Sequence, residues 1–262
     1  MAETVLSLLQ LTDCHLTADP QARFRDIDSD HHLRLVVDDA LSLSTVFDRV
    51  LLTGDLVHHG PAAAYRRLLS IVDPLPGLKH WIPGNHDEPA AMRECRNQPC
   101  GMERIDLDAW TLLLLDSTAE PDGRGSGSLS EVSLQWLSAM LSETRDRHVL
   151  LVMHHNPVST DSVWQDQIML ANAETLFDCL RGYKQVRGII CGHLHQQQAL
   201  EQDGIPVWCS PATSVQFRPA SDSFALETDM TRSGPGYCWY RLYADGRIEQ
   251  HVRRLAPPHS LG

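Results

Sequence analysis

The chain has 262 residues and carries 34 acidic side chains against 22 lysines and arginines, which gives a formal net charge of −12. An acidic surface repels a polyanion, so this charge argues against DNA or RNA as a partner. No apolar stretch reaches the roughly eighteen residues of a membrane span, and the seven cysteines form no CxxC pair, so we expect a cytoplasmic protein with no membrane partner.

The first part of the chain alternates short apolar runs with amphipathic segments. The runs predict strands at 5–11, 49–53 and 80–82, and the segments between them predict helices at 33–47 and 62–72. This β-α-β-α-β order is typical of parallel strands joined by helical crossovers.

The same alternation continues past the middle of the chain. We predict strands at 110–115, 149–153 and 188–191, a helix from Ser130 to about Arg145, and another helix at 173–180. The pattern indicates the α/β class, and we expect one domain over residues 1–262.

The C-terminal section, 199–255, has a different pattern. Turn signals such as Asp203-Gly204 and Asp245-Gly246 separate short strands predicted at 199–202, 205–209, 237–243 and 247–252. Asp-Gly between alternating strands favours hairpins, so we expect this section to be antiparallel. The loop 211–236 lacks periodicity, as active-site loops often do.

Short polar motifs follow the predicted strands. In chain order they are Asp13-Cys14-His15, Gly54-Asp55, Gly84-Asn85-His86-Asp87, His154-His155 and Gly192-His193-Leu194-His195. Because the carboxyl ends of parallel strands meet at one edge of a sheet, groups that are distant in sequence can share a site there.

Each motif alone also has an ordinary structural explanation. Asp55 can cap the next helix, and Gly84-Asn85 is a common turn pair. Side chains alternate along a strand, so we expect both members of each D-x-H or H-x-H pair on one side of an extended segment. The histidines without an expected metal role are His31, His32, His58, His59, His80, His148, His251 and His259.

In combination the motifs supply enough ligands for two metal ions that share the Asp55 carboxylate. The first ion is assigned the ligands Asp13, His15, Asp55 and His195. The second ion is assigned the ligands Asp55, Asn85, His154 and His193. The choice between His154 and His155 stays open, and His154 is favoured because it directly ends the apolar run.

This donor set predicts a reaction as well as a cofactor. Carboxylate, amide and imidazole ligands suit two divalent ions of Fe or Mn, with Zn and Co as alternatives, and do not suit Ca²⁺. Two such ions stabilise the attacking and leaving oxygens of a displacement at phosphorus, and a hydroxide that bridges them is a nucleophile at neutral pH.

The five motifs, in this order, resemble the calcineurin-like metallophosphoesterase superfamily over residues 8–255. A narrower resemblance to the bacterial class III 3′,5′-cyclic AMP phosphodiesterases is carried by Trp164-Gln165-Asp166-Gln167, Asn172-Ala173, His195-Gln196, Ser210-Pro211-Ala212-Thr213, Val215-Gln216-Phe217, Pro219, Ala244-Asp245-Gly246 and Arg254-Leu255. The resemblance implies a four-layer α-β-β-α sandwich. Many superfamily members have a His-x-Pro sequence, and Pro157 would then favour His155 as the ligand.

The resemblance also implies an activity, which is hydrolysis of the 3′-ester bond of cyclic AMP to give 5′-AMP. Asp55 and His86 are the expected catalytic residues, with His86 protonating the leaving oxygen or contacting the phosphoryl group. The expected substrate-binding residues are His15, Asp55, Asn85, His86 and His195. Candidates for holding the purine are Trp164, Phe217 and His195.

Three other functions stay open at this stage. The first is a broader phosphodiesterase that acts on glycerophosphodiesters or 2′,3′-cyclic nucleotides. A nuclease is disfavoured by the net charge of −12, and a binding scaffold without metals is disfavoured by the intact ligand set. The sequence leaves the oligomeric state open.

Overall fold

The computed structural model describes residues 5–95, 100–120 and 122–257. His259 and both ends of the predicted domain lie outside these ranges. The first of two sheets has the strand order β11-β10-β1-β2-β3. Its strands are β1 (Val5–Leu11), β2 (Arg49–Thr53), β3 (Leu78–Ile82), β10 (Gly236–Tyr243) and β11 (Ile248–Arg254). As predicted, β1, β2 and β3 are parallel to one another.

The second sheet has the strand order β4-β5-β6-β7-β9-β8. Its strands are β4 (Glu103–Leu107), β5 (Trp110–Leu114), β6 (His148–Val152), β7 (Val186–Cys191), β8 (Gln198–Gln202) and β9 (Ile205–Cys209). The four central strands are parallel, and the edge strands β4 and β8 pair with their neighbours in the antiparallel sense.

Helices cover the outer face of each sheet. Those in the described residues are α1 (Ser29–Ser42), α2 (Ala62–Val72), α3 (Pro89–Cys95), α4 (Glu131–Glu143), α5 (Val163–Asp166) and α6 (Ala173–Leu180). One core joins α1, α2 and α3 to the first sheet, and a second core joins α4 and α6 to the other sheet. None of these helices combines the length and the apolar character needed to cross a bilayer.

A third core lies between the two sheets and completes a four-layer α-β-β-α sandwich, as predicted. Successive residues of one strand enter different cores: Leu8 packs between the sheets, whereas Leu9 packs against the helices. The same division occurs at Leu150 and Leu151 in β6. Burial on both faces explains why these strands are continuous apolar runs rather than alternating ones. Each buried leucine contributes roughly 1.5–3 kcal/mol to this packing.

The predicted helix 33–47 is wrong at both ends, because α1 begins earlier and ends at Ser42. The carboxylate of Asp28 accepts a hydrogen bond from the His31 N–H at 3.0 Å and caps the first turn. Leu43 has extended backbone angles and ends the helix. Phe47 is buried in the core as part of the connection to β2, so its apolar character was mistaken for helical periodicity.

Other boundaries follow the prediction closely, but three elements were missed: α3, β4 and α5. The antiparallel prediction for 199–255 is only partly right. β8 and β9 form a hairpin across Asp203 and Gly204, which both have positive φ, and β10 pairs antiparallel with β11. However, β9 is parallel to β7, and β10 crosses to the first sheet to pair with β1.

Candidate dinuclear metal centre

Loops that leave the carboxyl ends of strands in both sheets carry the predicted ligands. β1 leads to Asp13 and β2 to Asp55, while β6 leads to His154 and β7 to His193. The backbone N–H of Asp13 donates to the carbonyl oxygen of Gly54 at 2.9 Å, which joins the first two loops. The backbone N–H of His193 donates to Asp13 Oδ2 at 3.0 Å, which joins the two sheets. Groups nearly two hundred residues apart therefore lie side by side.

The backbone that carries these ligands is left-handed rather than extended. The positive φ values are 52° at Asp13, 47° at His15, 51° at Asp55, 67° at His193 and 51° at His195. We expected the members of Asp13-x-His15 and His193-x-His195 on one side of an extended segment. That expectation was wrong, because these segments are not extended. A non-glycine residue in this conformation costs on the order of 1–3 kcal/mol and persists only where its surroundings enforce it. Here the His15 N–H donates to the Asp55 carbonyl oxygen at 2.9 Å.

The first cluster consists of Asp13, His15, Asp55 and His195, all of them buried. One ligand atom from each residue lies within 4.8 Å of the other three. His195 Nε2 lies 3.2 Å from Asp13 Oδ1 and 3.1 Å from His15 Nε2. His15 Nε2 lies 3.6 Å from Asp55 Oδ2. Donor atoms this close can surround a single ion.

A second cluster meets the first at the same carboxylate oxygen. His154 Nε2 lies 3.5 Å from Asp55 Oδ2. Ligand atoms of His154, His155 and His193 lie within 4.8 Å of one another. His155 uses Nδ1 to hydrogen-bond the hydroxyl of Ser117 at 2.8 Å. Asp55 therefore stands between two groups of nitrogen donors.

Backbone carbonyls orient three of the imidazoles. The contacts are His154 Nδ1 to Thr53 O at 2.8 Å, His195 Nδ1 to Val215 O at 2.8 Å and His193 Nε2 to Ile168 O at 3.0 Å. A carbonyl oxygen only accepts hydrogen bonds, so each of these ring nitrogens carries the hydrogen. The other nitrogen of each ring can bind a metal once it carries no proton.

The electrostatics of the site favour a cation beside Asp55. Burial opposes ionisation of Asp13, but the neighbouring His195 holds the pKa of that carboxyl at about 2. Burial also opposes ionisation of Asp55, yet His154 holds its pKa well below the usual value. In turn, burial works against a proton on His154, but the Asp55 charge raises the pKa of His154 to about 9. Burial lowers the pKa of His193 to about 3, so that ring is uncharged and can offer a nitrogen lone pair to a metal.

Asp87 anchors the loop that carries His86. Its carboxylate accepts hydrogen bonds from the N–H groups of Leu56 at 3.1 Å, Val57 at 3.0 Å and Gly84 at 2.9 Å and from the Tyr65 hydroxyl at 2.9 Å. Burial and the charge of Asp55 raise the pKa of Asp87 to about 7. The His86 N–H donates to Asp55 Oδ1 at 2.8 Å. A Cβ atom on Gly84 would lie 2.8 Å from His154 Nε2, so the approach of this loop requires glycine.

His58 and His59, which were expected to have no metal role, lie against the site. His58 Nδ1 is 3.3 Å from His15 Nδ1, and His59 Nε2 is 2.9 Å from His86 Nδ1. Both histidines follow Asp55 in the loop after β2, and this position was the signal that could have identified them.

Aromatic rings line the rim next to the first cluster. Phe24 stacks on His15 with ring centroids 4.2 Å apart, and Phe217 stacks on His195 at 4.0 Å. Trp164 lies edge-on to Phe217 at 5.4 Å. The structure thus brings Trp164 and Phe217 together beside His195. Phe24 was missed, because the segment around it has no periodic pattern.

The family model described as calcineurin-like phosphoesterase matches residues 6–197 of the chain, which include every ligand motif. The chain belongs to the calcineurin-like phosphoesterase family. The fold of this family implies a dinuclear site for divalent metal ions.

Relatives cover nearly the whole chain. The 3′,5′-cyclic adenosine monophosphate phosphodiesterase CpdA of Vibrio vulnificus is 35% identical over 98% of this chain and 92% of its own length. The protein of the same name from Pseudomonas aeruginosa is 36% identical over 95% of this chain and 89% of its own length. A solved dimetal phosphatase from Danio rerio is 16% identical, with a TM-score of 0.65 over 95% of this chain and 98% of that one. This last comparison supports the fold alone.

The residues present fit the pair of ions that this calcineurin-like fold implies. Asp13 Oδ1, Asn85 Oδ1 and His154 Nε2 are buried and have no hydrogen-bond partner among the described residues. Leaving such an atom unsatisfied costs about 1–3 kcal/mol, and more for a charged group. Metal ions would satisfy all three atoms, and this mixture of oxygen and nitrogen donors suits divalent transition metals.

Proposed function

We propose that the chain is a dinuclear-metal phosphodiesterase that hydrolyses the 3′-ester bond of 3′,5′-cyclic AMP to give 5′-AMP. The observation that carries the chemistry is the position of Asp55 Oδ2, which lies 3.6 Å from His15 Nε2 and 3.5 Å from His154 Nε2. One carboxylate oxygen thus borders both donor clusters. The substrate is supported by the relatives named as cyclic AMP phosphodiesterases, which match nearly the full chain.

The proposed ligands divide into two sets that share Asp55. One ion would be held by Asp13, His15, Asp55 and His195. The other would be held by Asp55, Asn85, His154 and His193. His154 is preferred to His155 because its Nε2 faces the shared carboxylate. When bound, two divalent ions supply positive charge at the phosphoryl oxygens and lower the pKa of water, and we propose Fe or Mn in this role.

His86 is proposed to donate the proton that the leaving 3′-oxygen requires. Its backbone is fixed by the hydrogen bond from its N–H to Asp55 Oδ1 at 2.8 Å. Its Nδ1 is occupied by the contact with His59 Nε2 at 2.9 Å, which leaves Nε2 for the substrate. Burial lowers the pKa of His86. A phosphate anion next to the ring would oppose this shift and favour the protonated form.

The aromatic rim supports a substrate with a flat base. The partly buried ring of Phe217 lies beside the proposed metal ligands, with one face covered by His195 and with Trp164 meeting it edge-on. A cavity of about 250 Å³, lined in part by Gln216 and Arg232, borders the same ring. An aromatic face next to polar groups can stack a purine while hydrogen bonds read its edge. A small phosphodiester without a base would leave this surface unused.

A substrate panel on Mn²⁺-loaded protein tests this function. The panel contains 3′,5′-cyclic AMP, 2′,3′-cyclic AMP, glycerophosphocholine and bis(p-nitrophenyl) phosphate. We expect the highest kcat/KM among the natural esters for 3′,5′-cyclic AMP, with 5′-AMP as the product. Turnover of bis(p-nitrophenyl) phosphate without turnover of 3′,5′-cyclic AMP would keep the phosphodiesterase chemistry and reject the substrate.

We also propose a cytoplasmic location and a single domain over residues 1–262. All seven cysteines are free thiols, which is consistent with the reducing cytoplasm proposed here. The core that the two sheets share supports one domain, since neither sheet could expose that face alone.

A further inference from the structure

Three imidazoles form a separate cluster next to the proposed metal centre. They belong to His58, His59 and His86, and one ring nitrogen from each lies within 4.8 Å of the others. The ring centroids of His58 and His86 are 4.6 Å apart, and those of His59 and His86 are 4.8 Å apart. The ligand sets proposed above use none of these three rings.

The arrangement of the ring nitrogens suits a metal ion. His59 Nε2 and His86 Nδ1 face each other at 2.9 Å. Zn–N bonds of about 2.0–2.1 Å place two ligand nitrogens of a tetrahedral ion roughly 3.3 Å apart, so a small separation of these rings would admit zinc. The His59 side chain is 56% exposed and can make that adjustment.

The surroundings of His59 match a common feature of zinc sites. Its second nitrogen, Nδ1, lies 3.9 Å from Glu88 Oε1. A metal-bound histidine usually turns its other N–H toward a carboxylate, which fixes the ring and increases its basicity. The side chain of Glu88 is itself 55% exposed, so the carboxylate is free to approach.

We propose that His58, His59 and His86 form a third, inhibitory metal site that takes Zn²⁺. Three imidazoles and no carboxylate in the cluster favour a borderline-soft ion with nitrogen preference over Mg²⁺ or Ca²⁺. An ion bound to His86 Nδ1 prevents the ring from carrying a second proton, so Nε2 could release its hydrogen only by forming an imidazolate, and His86 becomes a poor acid. Zinc beyond the needs of the dinuclear centre therefore slows turnover. The inhibitory effect rests on the function proposed for His86, whereas the binding of the ion does not.

The test compares zinc binding and inhibition in protein preloaded with two equivalents of Zn²⁺, because Zn²⁺ would displace Mn²⁺ from a centre rich in imidazole ligands. Bound zinc is counted by mass spectrometry after equilibrium dialysis, and turnover of bis(p-nitrophenyl) phosphate and of cyclic AMP is followed as more Zn²⁺ is added. We expect a third Zn²⁺ per chain and a parallel loss of cyclic AMP turnover. The variant with His58→Gln and His59→Gln should need at least about tenfold more Zn²⁺ for the same fractional inhibition, because two of three ligands are gone.

A matched control is His31→Gln, which removes an exposed histidine of α1 outside the cluster. It should bind and respond to zinc as the natural chain does. Inhibition of the double variant at unchanged zinc concentration overturns the proposal, and so does inhibition of the natural chain without a third equivalent of bound Zn²⁺. Zinc counting does not depend on the substrate. A chain that binds the third ion but leaves cyclic AMP untouched would therefore reject the proposed function and keep the site.

Discussion

His86 lies where the metal centre meets solvent, and its two ring nitrogens have different surroundings. Nδ1 contacts His59 at 2.9 Å, and the backbone N–H is tied to Asp55. If Nε2 delivers the proton to the leaving oxygen, His86→Ala should lower kcat for cyclic AMP by about 10²–10⁴-fold, the usual contribution of a general acid. Nitrophenolate needs little protonation as it leaves, so bis(p-nitrophenyl) phosphate should lose much less. Paired kcat measurements on the two substrates check this expectation.

The metal content of the His86→Ala variant serves as the internal control. This variant should still bind two equivalents of Mn²⁺, since the proposed ligand sets do not include His86. Equal losses of turnover on both substrates at full metal content would argue that His86 positions the phosphate instead of donating a proton.

At the scale of residues, the sequence predicted which side chains converge but not how the backbone presents them. Strand ends followed by Asp, Asn or His predicted the loops that carry the candidate ligands, because parallel strands share one edge. The positive φ values of Asp13 and His193 depend on hydrogen bonds made with loops from elsewhere in the chain. Local sequence favours glycine in that conformation, and neither residue is glycine. The same limit applies to His59, whose contact with His86 joins two different loops.

Among the elements, α1 is tied to the edge of the first sheet by Asp39. Its carboxylate accepts hydrogen bonds from the Tyr237 hydroxyl of β10 at 2.6 Å and from Arg253 of β11 at 2.7 and 3.0 Å. The hydrogen bond from Arg253 has the largest effect on the pKa of Asp39. Together with the bond from Tyr237 it outweighs burial and holds that pKa below its usual value. We expect Asp39→Asn to lower the free energy of unfolding by about 1 kcal/mol at pH 7, because the arginine is half exposed and solvent screens the pair.

The pH dependence of this loss follows from the lowered pKa. An ionised carboxylate stabilises the fold at every pH above its unfolded value, near 3.8, and the contribution disappears as pH falls through the lower folded value. The difference between Asp39→Asn and the natural chain should therefore be constant from pH 7 to pH 5 and shrink below pH 4, as measured by urea denaturation. Asp178→Asn, which removes an exposed pair with Arg181, is the control and should change stability by less than about 0.5 kcal/mol. A loss for Asp39→Asn that grows toward low pH would contradict the ion-pair explanation.

The elements differ in how far their sequences predicted them. The run from Ala62 to Val72 has strong helical spacing and a proline shortly after it, and α2 has those bounds. The start of α1 was missed although Asp28 offered a cap three residues before His31. β4 alternates polar and apolar residues as an edge strand does, so its signal was present. The parallel pairing of β9 with β7 could not be predicted, because it follows from packing of the whole sheet rather than from the hairpin with β8.

At the scale of the whole molecule, the proposed metal centre lies where the carboxyl ends of strands from the two sheets meet. Asp13, His15, Asp55 and Asn85 follow strands of the first sheet, whereas His154, His193 and His195 follow strands of the second. Both proposed ions take ligands from both sheets, so each ion would link the two halves of the sandwich. Binding to the folded chain alone should then stabilise the whole molecule.

Removing and restoring the metals tests this link. At a concentration one hundred times its Kd, each ion contributes about 2.7 kcal/mol, and in a chain of this size 1 kcal/mol corresponds to about 2–4 °C in Tm. We therefore expect chelation with EDTA to lower Tm by about 10–20 °C and Mn²⁺ to restore it. Asp55→Asn should abolish most of the Mn²⁺-dependent rise, since the proposed sets share this residue. Its metal-free Tm should fall as well, because the buried His154 loses the carboxylate that faces its Nε2. An equal rise with Mn²⁺ in both proteins would place the ions elsewhere and contradict a centre built around Asp55.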